Sequence, residues 1–299
     1  MSRIFEALQR ADLDRRAAQQ PEARQAAEPV LVAGIENRQA KDDAVLENIT
    51  QHQWRPLLAS LPTLADRGAG VEQFRSLRSR IYQARYDAPL KTILISSGMP
   101  SEGKSFVAAN LSMSLARNNV NNILLIDGDL RRPSLHTLLG APSTPGLSEY
   151  LSGTAELGDI LQRNSTPRDA EAAGADSISS LTFIPAGKCG DNSSELVANH
   201  RIEEMIEALS PHFDWILIDS PPVLAVTDAV ELSRAADAVL LIVRGESTPY
   251  DVAQRAQATF ANARILGFVL NDAKDAPRRG YYYYYGSPEA VPGANAAKR

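Results

Sequence analysis

Six short apolar runs recur between residues 91 and 272: "KTILISS" (91–97), "NILLIDGD" (122–129), "SLTFIPAG" (180–187), "FDWILIDSPP" (213–222), "DAVLLIVR" (237–244) and "RILGFVLND" (264–272). Each is continuous rather than alternating, as expected of strands buried on both faces. Helical stretches separate them: "SFVAANLSMSLARNN" after the first, then segments near 147–152, 193–209, 226–235 and 249–262. Apolar strands alternating with helices predict an α/β fold, a mostly parallel sheet with helices on both faces. A further helix is predicted from Gly70 to about Tyr86, upstream of the first strand. The first twenty residues also carry a helical stripe, with Ile4, Phe5, Ala7, Leu8 and Ala11 on one face. From 21 to 66 the chain is rich in Ala, Gln and Glu, broken by prolines and without periodicity, which predicts a linker or arm. Residues 163–179 read as a surface insertion. The expected organisation is an N-terminal amphipathic helix (1–20), a linker (21–66), one α/β domain (67–273) and a tail (274–299).

The sharpest chemical signal follows the first strand. "GMPSEGKS", residues 98–105, fits G-x-x-x-x-G-K-[ST] between a predicted strand and a predicted helix, the context a phosphate-binding loop requires. Gly98 and Gly103 let the backbone curl so that N–H groups face phosphate oxygens, and the helix N-terminus adds its positive end. Lys104 is placed to bridge the β- and γ-phosphates of ATP, and Ser105 to bind Mg²⁺. Two later strands deliver carboxylates to their C-terminal ends, Asp127 and Asp129 in "LLIDGDLRR" and Asp219 in "WILIDSPP". Ligands of open α/β sheets bind at those ends. A lone Asp there is commonly a cap; three beside a P-loop favour a role for Asp127 and Asp219 in holding the metal and its waters.

Composition narrows the field. The chain has 299 residues and a net charge of -5, so it carries no overall basic footprint and nucleic-acid binding is disfavoured. Cys189 is the only cysteine, which excludes an internal disulfide, a Cys–Cys metal pair and an iron–sulfur carrier held by paired cysteines. His52, His136, His200 and His212 lack metal-ligand spacing. No apolar run approaches the roughly 20 residues of a membrane span, and no signal-peptide core opens the chain. The expected location is the cytoplasm, with any association with the inner membrane made peripherally, through a partner or a surface helix.

Near the C-terminus stands "RRGYYYYYGS", with Tyr281, Tyr282, Tyr283, Tyr284 and Tyr285 in succession. A core strand is excluded as an explanation, because the run would need burial on both faces. Flanking Pro277, Gly280, Gly286 and Pro288 bound an irregular segment. Two readings stay open from the residues alone: an aromatic contact patch, or a set of phosphoacceptors.

The combination of "GMPSEGKS", "LLIDGDLRRP" and "WILIDSPP" resembles the Walker A, A′ and B motifs of the bacterial tyrosine kinases. The A′ pattern D-x-D-x-R is matched by Asp127, Asp129 and Arg131, and "EQFRSLR" fits the family's E-x-x-R-x-x-R through Glu72, Arg75 and Arg78. That family has a P-loop NTPase fold and ends in a tyrosine cluster. The resemblance implies an ATP- and Mg²⁺-dependent tyrosine autokinase of exopolysaccharide or capsule systems. It implies Lys104, Asp127, Asp129 and Asp219 as catalytic, with Asp127 as base, and Ser105, Asp127 and Asp219 at the metal. The nucleotide set it implies is Gly98, Met99, Pro100, Ser101, Glu102, Gly103, Lys104, Ser105, Phe106, Arg131 and Asn271. It further implies Tyr281–Tyr285 as acceptors, served in trans within a homo-oligomer built through Glu72, Arg75 and Arg78. Implied partners are a membrane chain-length regulator and a cognate tyrosine phosphatase. Two positions depart from the pattern: the family commonly has Gly where Ser101 stands and a hydroxyl residue where Phe106 stands. A positioning-type P-loop ATPase is the competing class, but its extra lysine after the first loop glycine is replaced here by Met99. A nucleotide-binding scaffold without phosphate transfer is a second alternative.

Overall fold

In a computed structural model the described residues are 49–273, apart from 66, 118–120, 166–177, 179 and 189–192. Eight strands form one sheet: β1 (Thr50–His52), β2 (Thr92–Ser97), β3 (Ile123–Asp127), β4 (Gln162–Asn164), β5 (Leu181–Ile184), β6 (Trp215–Asp219), β7 (Ala238–Arg244) and β8 (Ile265–Asn271). Their order is β1-β4-β5-β3-β6-β2-β7-β8. Every pairing is parallel except β4 with β5.

The central strands are buried on both faces, and each carries a continuous apolar run, as predicted. Ile93, Ile95, Leu125, Leu217 and Leu240 face one core, roofed by α1 (Ala69–Asp87) through Phe74 and Ile81 and by α2 (Lys104–Ala116) through Val107 and Leu111. Leu94, Leu124, Ile216, Ile218 and Leu241 face the other. Along the chain there follow α3 (Leu135–Leu139), α4 (Leu147–Ser152), α5 (Leu157–Ile160), α6 (Ser193–Val197), α7 (Arg201–Leu209), α8 (Asp228–Leu232) and α9 (Tyr250–Thr259). The second core is closed by Met205 and Leu209 of α7, Leu232 of α8 and Ala256 of α9. Each fully buried Leu or Ile contributes roughly 1.5–3 kcal/mol, so these two cores hold the sheet's C-terminal edge in place.

Four elements differ from the sequence reading. The segment expected as linker up to residue 66 supplies β1, and Trp54, Leu61 and Leu64 are buried in the first core. "TQH" gives no apolar alternation; its place is set by pairing with β4, Thr50 opposite Gln162. β4 in turn begins just before the expected insertion at 163–179 and uses its first residues, with Arg163 opposite Thr182 of β5. The helix expected over 193–209 is two helices, broken at His200, whose φ is 33°. At the other edge β8 pairs only with β7, so its apolar run is not buried throughout: Phe268 is 47 % and Leu270 64 % exposed. No helix among the described residues is long and apolar enough to cross a membrane. The N-terminal helix, the rest of the linker, and Tyr281–Tyr285 lie outside the described residues.

Candidate functional site

Strands β2, β3 and β6 are neighbours in the order β3-β6-β2, and all three end at one edge of the sheet. The loop after β2 therefore lies beside the carboxylates that end β3 and β6. Asp127 and Asp219 are opposite each other in register. Gly128 lets the two strand ends close together: its N–H donates to the Asp219 carbonyl at 2.8 Å, and a Cβ there would lie 2.6 Å from that oxygen.

The P-loop runs from Gly98 into the first turn of α2. Gly103 has φ 91°, and a Cβ on it would collide with the Asn271 amide. Asn271 donates through Nδ2 to the Glu102 carbonyl at 2.9 Å, which ties the end of β8 to the loop. Ser101, where the resemblance puts Gly, sits at φ 65°, a conformation that costs a residue with a Cβ about 1–2 kcal/mol. Gly103 is the N-cap of α2 and brings no side chain to it, so the first-turn N–H groups of α2 are open to a phosphate. Lys104 is buried at the start of that turn.

Ser105 donates its hydroxyl to Asp219 Oδ2 at 2.5 Å, while Asp219 Oδ1 is buried without a hydrogen-bond partner among the described residues. Burial is the main reason the Asp219 pKa is pushed up to about 7; Lys104 and the Ser105 hydroxyl pull the other way. A Ser hydroxyl and an acidic oxygen lacking a partner are the oxygen donors that Mg²⁺ takes alongside its waters, so these residues fit that ion. Asp127, the expected base, turns its carboxylate to backbone amides. Oδ1 accepts the Asp129 N–H at 3.3 Å, and Oδ2 accepts those of Ser134 and Leu135 at 3.2 and 3.1 Å. Its pKa is raised well above the carboxylate range, by burial first and by Asp219 next. Thus Asp127 caps the entry to α3, whereas Asp129 lines the cavity.

That cavity, of about 560 Å³, is walled by Lys104, Ser105, Phe106, Asp129, Arg131, Pro221 and Pro222 among others. A second, of about 820 Å³, lies on the other side of Gly103 and Phe106, between α1 and the end of β8. Phe106 borders both and packs on Phe74, ring centroids 5.9 Å apart. Arg131 is held by a pairing that the sequence did not reveal. Nε donates to Asp228 Oδ2 at 3.0 Å and Nη2 to Ser194 Oγ at 2.5 Å, while Ser194 donates to Asp228 Oδ1 at 2.8 Å. Asp228 is buried at the head of α8; the only sequence signal was an acid opening a short helix. On α1, Arg75 pairs with Glu72 at 2.7 Å, and Arg78 Nη1 donates to the Ser114 carbonyl at 2.5 Å. Two of the three expected oligomerisation charges thus pair with each other, and Arg78 has a partner in α2.

The P-loop, its helix and the acids on the adjoining strands define a P-loop nucleotide-binding protein. No family model matches the chain. Among curated proteins it is 30% identical to the putative tyrosine-protein kinase CapB of Staphylococcus aureus, over 72% of this chain and 90% of that protein. It is 31% identical to the tyrosine-protein kinase YwqD of Bacillus subtilis, over 73% and 87%. The tyrosine-protein kinase ptk of Acinetobacter johnsonii is 34% identical over 71% of this chain, which spans only 28% of that protein's length. The chain belongs to the bacterial tyrosine-protein kinase family. Solved structures agree. The kinase domain of the Escherichia coli tyrosine kinase ETK aligns at TM-score 0.62 and 29% identity, over 73% of this chain and 80% of that one. The BceF tyrosine kinase domain aligns at 0.61 and 34%, over 78% and 88%. The septum site-determining protein MinD of Pyrococcus horikoshii, complexed with Mg-ADP, shares the fold more distantly, at 0.50 and 26% over 60% and 69%.

Proposed function

We propose that the protein is an ATP-dependent protein-tyrosine autokinase that phosphorylates Tyr281–Tyr285, in trans between copies of itself, and so regulates exopolysaccharide or capsule polymerisation or export. The observation that carries this reading is the meeting of Lys104, Ser105 and Asp129 at one cavity beside the P-loop, with Asp219 bonded to Ser105 behind it, in a chain of this family. In the reaction the acceptor oxygen forms a bond to the γ-phosphorus, the bond to the β,γ-bridging oxygen breaks, and ADP leaves. Lys104 and the first-turn amides of α2 hold the phosphates in line and offset their charge. Mg²⁺, held through Ser105 and Asp219, would draw further charge from the phosphate oxygens. A phenol with an ordinary pKa of about 10 is a weak nucleophile at neutral pH, so a carboxylate at the acceptor oxygen helps to remove its proton. Asp129 is the acid open to the cavity and takes that part here; Asp127, occupied by three amides, shapes the loop that presents it. The cavity beyond Phe106 has the size and mixed lining to take the nucleoside.

Peptide mass spectrometry after incubation with Mg-ATP tests this. The wild type is expected to carry several phosphates on the 280–286 peptide, and Asp129→Asn at least tenfold fewer at equal times. A protein that binds ATP yet leaves all five tyrosines unmodified, with a membrane activator's cytoplasmic segment present, would instead be a nucleotide-binding scaffold.

Delivery in trans requires an assembly. Arg75 is about half exposed and bound only to its own helix neighbour Glu72, and such an exposed i,i+3 pair contributes little to stability, so its charge is available to another subunit. Arg75→Ala with Arg78→Ala is expected to lower the molar mass in light scattering to that of the monomer while the fold persists. An unchanged mass would remove these residues from the interface. A membrane chain-length regulator as activator and anchor, and a phosphatase to reset the tail, complete the reading. Each added phosphate brings roughly -1.5 to -2 charges, enough for a filled cluster to repel itself and loosen the assembly.

A further inference from the structure

Glu102 occupies a variable position of the P-loop motif, yet it is 3 % exposed. A carboxylate inside a loop that receives polyphosphate opposes its ligand unless it is turned away and occupied. Here it is both. Oε2 accepts the Met99 N–H at 2.7 Å, across the loop's own turn. Oε1 accepts the hydroxyl of Thr248, a residue on the loop between β7 and α9. Thr248 Oγ1 accepts the Arg244 N–H at 3.1 Å, and Arg244 Nη1 reaches the Ser101 carbonyl at 3.4 Å. Ser101, next to Glu102, has a φ of 65°, a conformation that a residue with a Cβ keeps only at a cost, and Gly103 on the other side has a φ of 91°.

We propose that Thr248, acting through Glu102, is a positioning residue that holds the phosphate-binding loop open before the nucleotide arrives. The inference rests on reading this loop as the nucleotide site. A hydrogen bond to a buried carboxylate is among the stronger kinds, and the two that Glu102 accepts fix both ends of the turn. A loop fixed in its bound shape loses little freedom when ligand binds, and affinity rises accordingly. The brace touches neither the transferred phosphoryl group nor the acceptor, so its effect falls on nucleotide binding rather than on the chemical step.

The test is Mg-ADP titration calorimetry, with KM for ATP, kcat and thermal denaturation, on Thr248→Val, Glu102→Ala and Glu102→Gln. Thr248→Val and Glu102→Ala are expected to weaken Mg-ADP and raise KM about tenfold, and Thr248→Val is expected to keep kcat at saturating ATP within about twofold of wild type. Glu102→Gln retains an acceptor for Met99 N–H and offers an amide to Thr248 Oγ1, so it is expected to restore affinity to within about threefold. Lower melting temperatures with unchanged Mg-ADP affinity would overturn the proposal, as would a Glu102→Gln protein as weak as Glu102→Ala. A wild type that binds Mg-ADP but transfers no phosphate would sink the kinase reading alone, because the titration still decides what Thr248 does.

Discussion

Lys104→Met is expected to reduce tail phosphorylation by at least about 10²-fold, the scale seen when one preorganised donor is taken from a developing oxyanion. Lys104 is buried at the first turn of α2 and beside Asp219, whose charge it helps to hold. Methionine keeps most of the aliphatic stem, so packing survives while the cation is lost. Two effects then add: the γ-phosphoryl charge goes without its neutralising partner, and Asp219, without Lys104, is driven further toward its protonated form. The readout is phosphate per 280–286 peptide over time, with circular dichroism to show that the fold is kept. Equal phosphorylation of wild type and variant would mean that the phosphate comes from another kinase, and the assignment of this site would fall.

Much of the frame could be read in the chain because the central strands are buried on both faces and so carry continuous apolar runs, with their polar residues confined to the strand ends. The edges were hidden for the opposite reason. β1 and β4 are three residues each, "TQH" and "QRN", and hold their places through backbone pairing that leaves no hydrophobic signature. β8 misled differently: its composition is that of a core strand, but an edge position leaves Phe268 and Leu270 open to solvent. At the site, the P-loop and the three aspartates were legible because the chemistry needs those residues at local spacings. What each aspartate does was not. Asp127 and Asp129 are two residues apart, and only the fold shows that one is enclosed by three backbone amides while the other accepts the Arg132 N–H and lines the cavity. Asp228 beneath Arg131 and Thr248 beneath Glu102 were out of reach altogether, since they meet their partners from 97 and 146 residues away.

The burial of Asp219 and Asp127 weakens the protein as pH rises, and this gives the second large effect. Asp219 is fully buried with one oxygen unpartnered among the described residues, and its pKa lies near 7 against an ordinary 3.8. Asp127 is raised as well. The unfolded chain gives up these protons near pH 4, whereas the folded, nucleotide-free protein keeps the Asp219 proton up to about pH 7. Across that window the folded state binds more protons than the unfolded state, so its stability falls as pH rises, and the Asp219 share of the loss is complete above about pH 7. At 1.36 kcal/mol per pH unit, that share has an upper figure of about 4 kcal/mol. Asp219→Asn cannot ionise and still offers an amide oxygen to the Ser105 hydroxyl. Without nucleotide at pH 8 it is expected to melt on the order of 5–10 °C above wild type, with the difference closing toward pH 4, while phosphate transfer falls by about 10²-fold. Differential scanning fluorimetry from pH 4 to 8 measures it. Saturating Mg-ADP should narrow the gap, because it stabilises the wild type, which keeps the carboxylate, more than the variant. A variant less stable than wild type at pH 8 would show that Asp219 is already well satisfied in the empty site, leaving Mg²⁺ no unmet oxygen to complete.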